Sequence, residues 1–288
     1  MAFACQVCLS QSNHNTRGRT AASSYNNHQF NVYGFIVYGG YVKNTTRVNA
    51  SFGELQLYLS HLGVKKYNLI YENKLLDYPK GDKSNGEPDL QKIDSLADEA
   101  MQEPDVPVSL DLEGWKRFDT VNTPKRMIAA IKAFKKTNKI SKVGLYATVP
   151  QNTHAYADGI NKYDKYNKAY AGVAAMVDYF SPSLYAYTST DSEWVKSAIY
   201  NIEACKKYGY PDKKILPYIT PVVIVNGVRV QISYDEMTLR LNTLYQLGAD
   251  GCLIWTSSLQ RDSDGNKIYI DENTGWLKAV KDFIAAHP

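Results

Sequence analysis

The sequence predicts an α/β chain folded as a TIM-like (β/α) barrel, distorted and with about seven strands. Three observations carry this expectation. Short β-rich runs alternate with helical patterns along most of the chain, about seven such units fit into 288 residues, and no Gly-rich first turn of a doubly wound sheet is found. Gly39-Gly40 is too short a signal to cradle a phosphate. Hydrophobic residues at 44% and charged residues at 22% supply a large core and exclude a disordered chain.

Taken in order, residues 10 to about 30 are polar, rich in Asn and Ser, and cannot offset their ordering entropy by burial. Residues 1–30 therefore read as a flexible tail, and 31–288 as one barrel domain. The expected strands are Val32–Tyr38, Tyr67–Tyr71, Pro107–Glu113, Lys142–Ala147, Tyr179–Ala186, Ile215–Thr220 and Gly251–Trp255. One intervening helix is expected to begin at Thr123 as N-cap with Pro124 in the first position. Its buried face would carry Ile128, Ile131 and Phe134, opposite Lys125, Lys132 and Lys136. Asp264-Gly265 reads as a hairpin turn, since the spacing from Asp262 does not suit an EF-hand. A final helix is expected around Trp276 to Ala285.

Basic residues number 33 and acidic ones 29, a net charge of +4, so no field of one sign points to nucleic acid. Apolar runs fall well short of the roughly 20 residues of a membrane span. Met1 to Leu9 lack a basic region and a long apolar core, so a secretory signal is absent or already removed; a secreted or cell-surface setting is the favoured expectation. The four cysteines, Cys5, Cys8, Cys205 and Cys252, are too few and too uneven to read as a disulfide scaffold. Cys5-Gln6-Val7-Cys8 is half a zinc site with no second pair, and no metal or cofactor is expected. His14, His28 and His287 fall in expected tails, and no nucleophile motif lies near His61 or His154. Asn44-Thr45-Thr46 and Asn49-Ala50-Ser51 are glycosylation triplets.

Barrels place their chemistry at the C-terminal ends of strands. The clearest such end is Val106 to Trp115. Strand alternation puts Val108, Leu110 and Leu112 on one face, toward the helices, and Ser109, Asp111 and Glu113 on the other, toward the barrel mouth. Two carboxyl groups one pleat repeat apart, roughly 6 to 7 Å, repel each other and raise the pKa of one. An acid beside a base is the division of labour glycoside hydrolysis needs.

These residues resemble the hyaluronidases, retaining hexosaminidases with an Asp-x-Glu pair at a barrel strand end. Further stretches agree in the same order: Asn68 to Asn73, Leu110 to Trp115, Val143 to Tyr146, Ser181 to Tyr185, Ile215 to Tyr218, and Leu247 to Ser258, the last being the most specific. The resemblance runs from about residue 30 to 260. It implies substrate-assisted cleavage of an N-acetylhexosamine-containing polysaccharide such as hyaluronan or chondroitin, the sugar's own acetamido oxygen serving as nucleophile. Glu113 would then be the acid and later the base, and Asp111 would orient the acetamido group. Tyr185 and Trp255 match positions that shape the sugar pocket, while Tyr71, Tyr146 and Tyr218 lie on matching strands as further substrate-binding candidates.

The chain departs from the family at Val223, where alignment places a family tyrosine, and in Ala147 to Asn152 and Lys116-Arg117-Phe118. It also lacks the usual disulfides. The 23 tyrosines suit a long sugar groove, and Lys162, Lys165 and Lys168, interleaved with tyrosines between Tyr156 and Tyr170, would suit a polymer bearing carboxylates or sulfates, although a solvated helix face is the favoured reading of those lysines. Two other readings keep parts of this pattern. One is a lysozyme-type muramidase acting on peptidoglycan, the other a non-catalytic carbohydrate-binding barrel.

Overall fold

The computed structural model describes residues 28–154, 159–185, 190–256, 261–262 and 264–288. Parallel strands follow one another around a ring. Asn31–Phe35 pairs with Gly251–Trp255, which pairs with Tyr218–Ile219. Ser183 bridges Tyr218, Tyr179–Phe180 pairs with Lys214–Ile215, and Ser181 bridges Tyr146. Val143–Leu145, Val108–Asp111 and Asn68–Tyr71 complete the sequence, and a Tyr33–Lys65 bridge returns to the first strand. The expected TIM-like barrel is thus the observed architecture, with each anticipated strand in place but most of them shorter, several linked by single bridges.

Alternation along the strands separates two cores. Val32, Ile70, Val108, Leu110, Leu112, Val143 and Leu145 join the large outer core with helix residues such as Leu59, Ile93, Ile131 and Phe134. Inside the ring lie Tyr67, Tyr179, Leu216, Tyr218 and Leu253, with Tyr33, Phe35, Leu69, Tyr146, Tyr185 and Trp255 packed against them. Buried hydroxyls in a tyrosine-lined interior call for partners, and all but that of Tyr67 among the three core tyrosines Tyr67, Tyr179 and Tyr218 have one. Tyr218 Oη donates to Ser109 Oγ at 2.7 Å and Tyr179 Oη to the Val108 carbonyl at 2.8 Å. Gly144 makes room for this layer, since a Cβ there would lie 2.4 Å from the Tyr179 ring.

The helices start where side chains supply the missing acceptors. Ser51 with Glu54, Thr190 with Glu193 and Ser233 with Glu236 form capping boxes for Phe52–His61, Asp191–Lys206 and Tyr234–Gln246. Thr123 does not play that part. The helix runs Asn122–Thr137, and Asp119, which accepts from the Val121 and Asn122 amides, takes the capping role, while buried Thr123 donates to the Lys116 carbonyl. A carboxylate one turn earlier reaches these donors better than a hydroxyl facing the core. Met127, Ala130, Ile131 and Phe134 are buried, Ile128 only partly, and Lys125, Lys132 and Lys136 are exposed as expected.

His28 and Phe30, expected in the tail, pack against the barrel's helices. His28 stacks on Tyr245 at 4.4 Å and bonds the Ala249 carbonyl, Phe30 is buried, and His287 stacks on Phe283 at 4.2 Å. Of the three histidines expected in tails, His28 and His287 are therefore packed, because aromatic partners from the Tyr234–Gln246 and Gly275–Ala286 helices receive them. Arg261 bridges Lys267 around a turn in which Gly265 has φ +81°, as the Asp-Gly pair predicts. Val222–Val225 and Val228–Gln231 form a hairpin in which Val223 pairs with Val230. Asn44 lies exposed at the tip of another hairpin, Gly40–Lys43 with Thr46–Asn49. Cys205 and Cys252 are free and buried; Cys5, Cys8, His14, Tyr156, Tyr187, Ser257 and Ser258 lie outside the described residues. Among the described residues no helix is long and apolar enough to cross a membrane.

Candidate active site

Asp111 ends its strand, in register with Tyr71 on the neighbouring strand. Leu112 then turns outward into the core and Glu113 turns back to the mouth. The loop beyond is held rigidly. The Gly114 amide donates to Glu72 Oε2 at 2.6 Å, and the Trp115 indole donates to the Gly86 carbonyl at 2.7 Å. A Cβ at residue 114 would come within 2.9 Å of the Glu72 carboxylate, so glycine is what lets that carboxylate approach. Trp115 is buried and anchors the loop.

A cavity of about 520 Å³ opens here, within the size range of small-molecule sites. Asp111, Glu113, Tyr146, Tyr185, Tyr218 and Trp255 line it, so six of the seven residues expected from sequence share one wall system. Trp255 stacks on Tyr185 at 5.5 Å, and Tyr218 meets Tyr146 and Tyr185 edge-on at 4.9 and 6.1 Å. Tyr218 is buried in the floor beneath the cavity, its hydroxyl turned to Ser109 and not to the open space. Tyr71 does not line the cavity. Its hydroxyl accepts from Trp255 Nε1 at 3.3 Å and so orients that indole. Val223, in its hairpin, is not among the lining residues.

Burial, first, then the charges of Glu113 and Glu72, push the Asp111 carboxyl from 3.8 up to about 7. One of its oxygens, Oδ1, is buried without a hydrogen-bond partner. Glu113 is also raised, by burial and then by Glu72, against the opposing charge of Arg117. Mutual repulsion was the expected cause; burial outranks it, and a third carboxyl group contributes. Both carboxyls therefore hold their protons to higher pH than exposed carboxyls do.

Leu69, Asn152, His154 and Ser183 complete the lining. Ser183 was findable, because it shares a strand face with Tyr185. Glu72 follows a strand end, the same signal that marks Asp111. Asn152 and His154 come from an irregular loop in which Ala147 and His154 have φ of 52° and 60°, and no sequence period marks them. Arg117 Nη1 lies 3.0 Å from His154 Nε2. A guanidinium only donates, so that imidazole nitrogen accepts and the ring is neutral, consistent with burial and then Arg117 lowering its pKa.

Comparison with known proteins agrees on the architecture. No family model matches the sequence, and no curated protein matches it. Among solved structures, the chain is similar to bee venom hyaluronidase in complex with a hyaluronic acid tetramer, at 17% identity and TM-score 0.53, covering 81% of this chain and 92% of that one. A monoclinic crystal form of bee venom hyaluronidase gives 16% identity and TM-score 0.56, covering 89% and 96%. These likenesses establish the fold.

Proposed function

We propose that this chain is a retaining endo-glycoside hydrolase acting on an N-acetylhexosamine-containing polysaccharide of the hyaluronan or chondroitin kind. The observation that carries the reading is the Asp111–Glu113 pair at one strand end of an aromatic-walled cavity, with Asp111 Oδ1 buried and lacking a donor. An unpaired buried acceptor costs about 1–3 kcal/mol, and a ligand N–H removes that cost. An acetamido N–H is such a donor. The solved bee venom hyaluronidase complex, whose fold this chain shares, holds a hyaluronic acid tetramer, which lends support.

In the free protein, burial and the neighbouring carboxyl groups favour the protonated form of Asp111. An N–H donated to Asp111 favours its ionised form, and that negative charge favours a protonated Glu113. The acetamido carbonyl oxygen of the bound sugar then attacks its own anomeric carbon as the bond to the leaving oxygen breaks, and that oxygen takes the Glu113 proton. The resulting oxazolinium ion is balanced by the Asp111 carboxylate. Water next attacks the anomeric carbon, gives its proton to Glu113 and reopens the ring, with net retention. Trp255 and Tyr185 offer ring faces to the sugar. Tyr146 and Ser183, 3.3 Å apart through their hydroxyls, supply polar groups that the valine at 223 does not.

The test is mass spectrometry of products after incubating the wild type and Glu113→Gln with hyaluronan, chondroitin, chitin oligomers and peptidoglycan. Products from hyaluronan or chondroitin, formed by the wild type alone, support the reading; products from chitin alone would move the substrate away from it, products from peptidoglycan alone favour a muramidase, and a folded protein silent on all four would overturn it.

A further inference from the structure

Glu113 is shared between the main cavity and a smaller one of about 40 Å³ walled by Trp115, Arg117, Thr148 and Gln151. Beyond it a band of rings and cations continues over the surface. Arg117 links the two. It contacts His154 on the cavity wall, its charge acts on Glu113, and its guanidinium lies 5.0 Å from the Phe118 ring centre. Phe118 is 51% exposed and packs at 4.7 Å on the half-buried Tyr166 and at 6.4 Å on Tyr163. Lys165 Nζ sits 4.8 Å over Tyr166 and Lys162 Nζ 5.4 Å over Tyr163.

The carboxylates of this band are engaged by other partners. Asp119 is occupied by the amides that begin the Asn122–Thr137 helix, and Asp164 accepts from the Tyr200 hydroxyl. Among the described residues no carboxylate forms an ion pair with Lys162 or Lys165. Ammonium groups held over rings are pre-positioned and less hydrated than free ones, which favours an incoming anion. An exposed phenyl beside them offers a face to the apolar side of a sugar.

We infer that Phe118, Tyr166, Lys162, Lys165 and Arg117 form a binding subsite for carboxylate- or sulfate-bearing sugars of the polymer. The inference rests on the proposed hydrolase reading for its direction. With the acetamido sugar in the Trp255–Tyr185 box, a chain passing Glu113 toward Arg117 is the departing half. Phe118 stacks one of its rings and the cations hold its anionic groups.

The test is calorimetric binding to the full-length Glu113→Gln protein of hexasaccharides from hyaluronan (carboxylate), chondroitin sulfate (carboxylate and sulfate) and chitin (neutral), at low and high salt. Adding Lys162→Ala and Lys165→Ala weakens the two anionic ligands about tenfold at low salt, with the difference collapsing at high salt, and shifts the neutral one less than about twofold. Adding Phe118→Ala instead weakens all three by about fivefold. Circular dichroism verifies folding, since the substituted side chains are exposed. An unchanged anionic affinity in the lysine variant, or an equal loss for neutral and anionic ligands, overturns the subsite. Trp255→Ala in the same background separates the two readings. If it abolishes binding while the lysines are indifferent, the subsite falls and the cavity reading stands; if the lysines matter, Trp255 does not, and the wild type releases no product, the subsite stands and the hydrolase falls. Binding of none of the three overturns both.

Discussion

Replacing Asp111 by asparagine should stabilise the fold at alkaline pH while impairing function. The folded protein raises this carboxyl from 3.8 to about 7, chiefly by burial. A folded-state pKa above the unfolded value means that the folded state holds the proton more tightly. The destabilisation is absent below about pH 4, grows as pH rises from about 4 to 7, and is complete above that. About three pKa units at 1.36 kcal/mol each set an upper bound of about 4 kcal/mol. Cavity water relaxes part of this, and the new amide N–H needs an acceptor, which leaves about 1–2 kcal/mol. For a chain of this size that is about 2–5 °C in melting temperature. Thermal unfolding of the wild type and Asp111→Asn at about pH 5 and about pH 8 should show a gap that opens toward the higher pH. A gap independent of pH, or one that closes toward the alkaline end, would refute the raised Asp111 pKa on which this prediction rests.

Other consequences follow from the same geometry. Glu72→Gln keeps an oxygen for the Gly114 amide but removes a charge that raises both Asp111 and Glu113. The alkaline limb of kcat/KM, set by loss of the Glu113 proton, should move down by about half a unit or more, and an upward shift would contradict the account. Trp255→Ala removes the indole stacked on Tyr185, so KM for polymer should rise about tenfold with a smaller change in kcat; an unchanged KM takes Trp255 out of the site. Gly144→Ala forces a Cβ to within 2.4 Å of the Tyr179 ring and should cost about 1–3 kcal/mol in urea unfolding, whereas a neutral result would mean the tyrosine layer yields freely.

The sequence carried the frame of the barrel because strand alternation is a local property. Val108, Leu110 and Leu112 lie in the outer core and Ser109 and Asp111 face inward, as the period of two requires. The aromatic box was legible for the same reason, since Tyr146, Tyr185, Tyr218 and Trp255 sit on or just beyond strands. What escaped depends on loops. His154 and Arg117 meet across 37 residues through a backbone with left-handed residues, and no local pattern encodes such a meeting. Glu72 acts by reaching a glycine amide 42 residues away, and Thr123 lost its expected capping role to Asp119. Tyr71 sat on the right strand, yet whether its ring faced the cavity or steadied Trp255 was settled only by packing.

The central claim is that Asp111 and Glu113 serve a sugar whose acetamido group is the nucleophile. Calorimetric binding of a thiazoline analogue of N-acetylglucosamine, which mimics the cyclised intermediate, tests it most directly. The account predicts affinity at least about 100-fold greater than for N-acetylglucosamine itself, with the advantage lost in Asp111→Ala. Equal affinities for the two sugars, or an advantage that survives removal of Asp111, would contradict it.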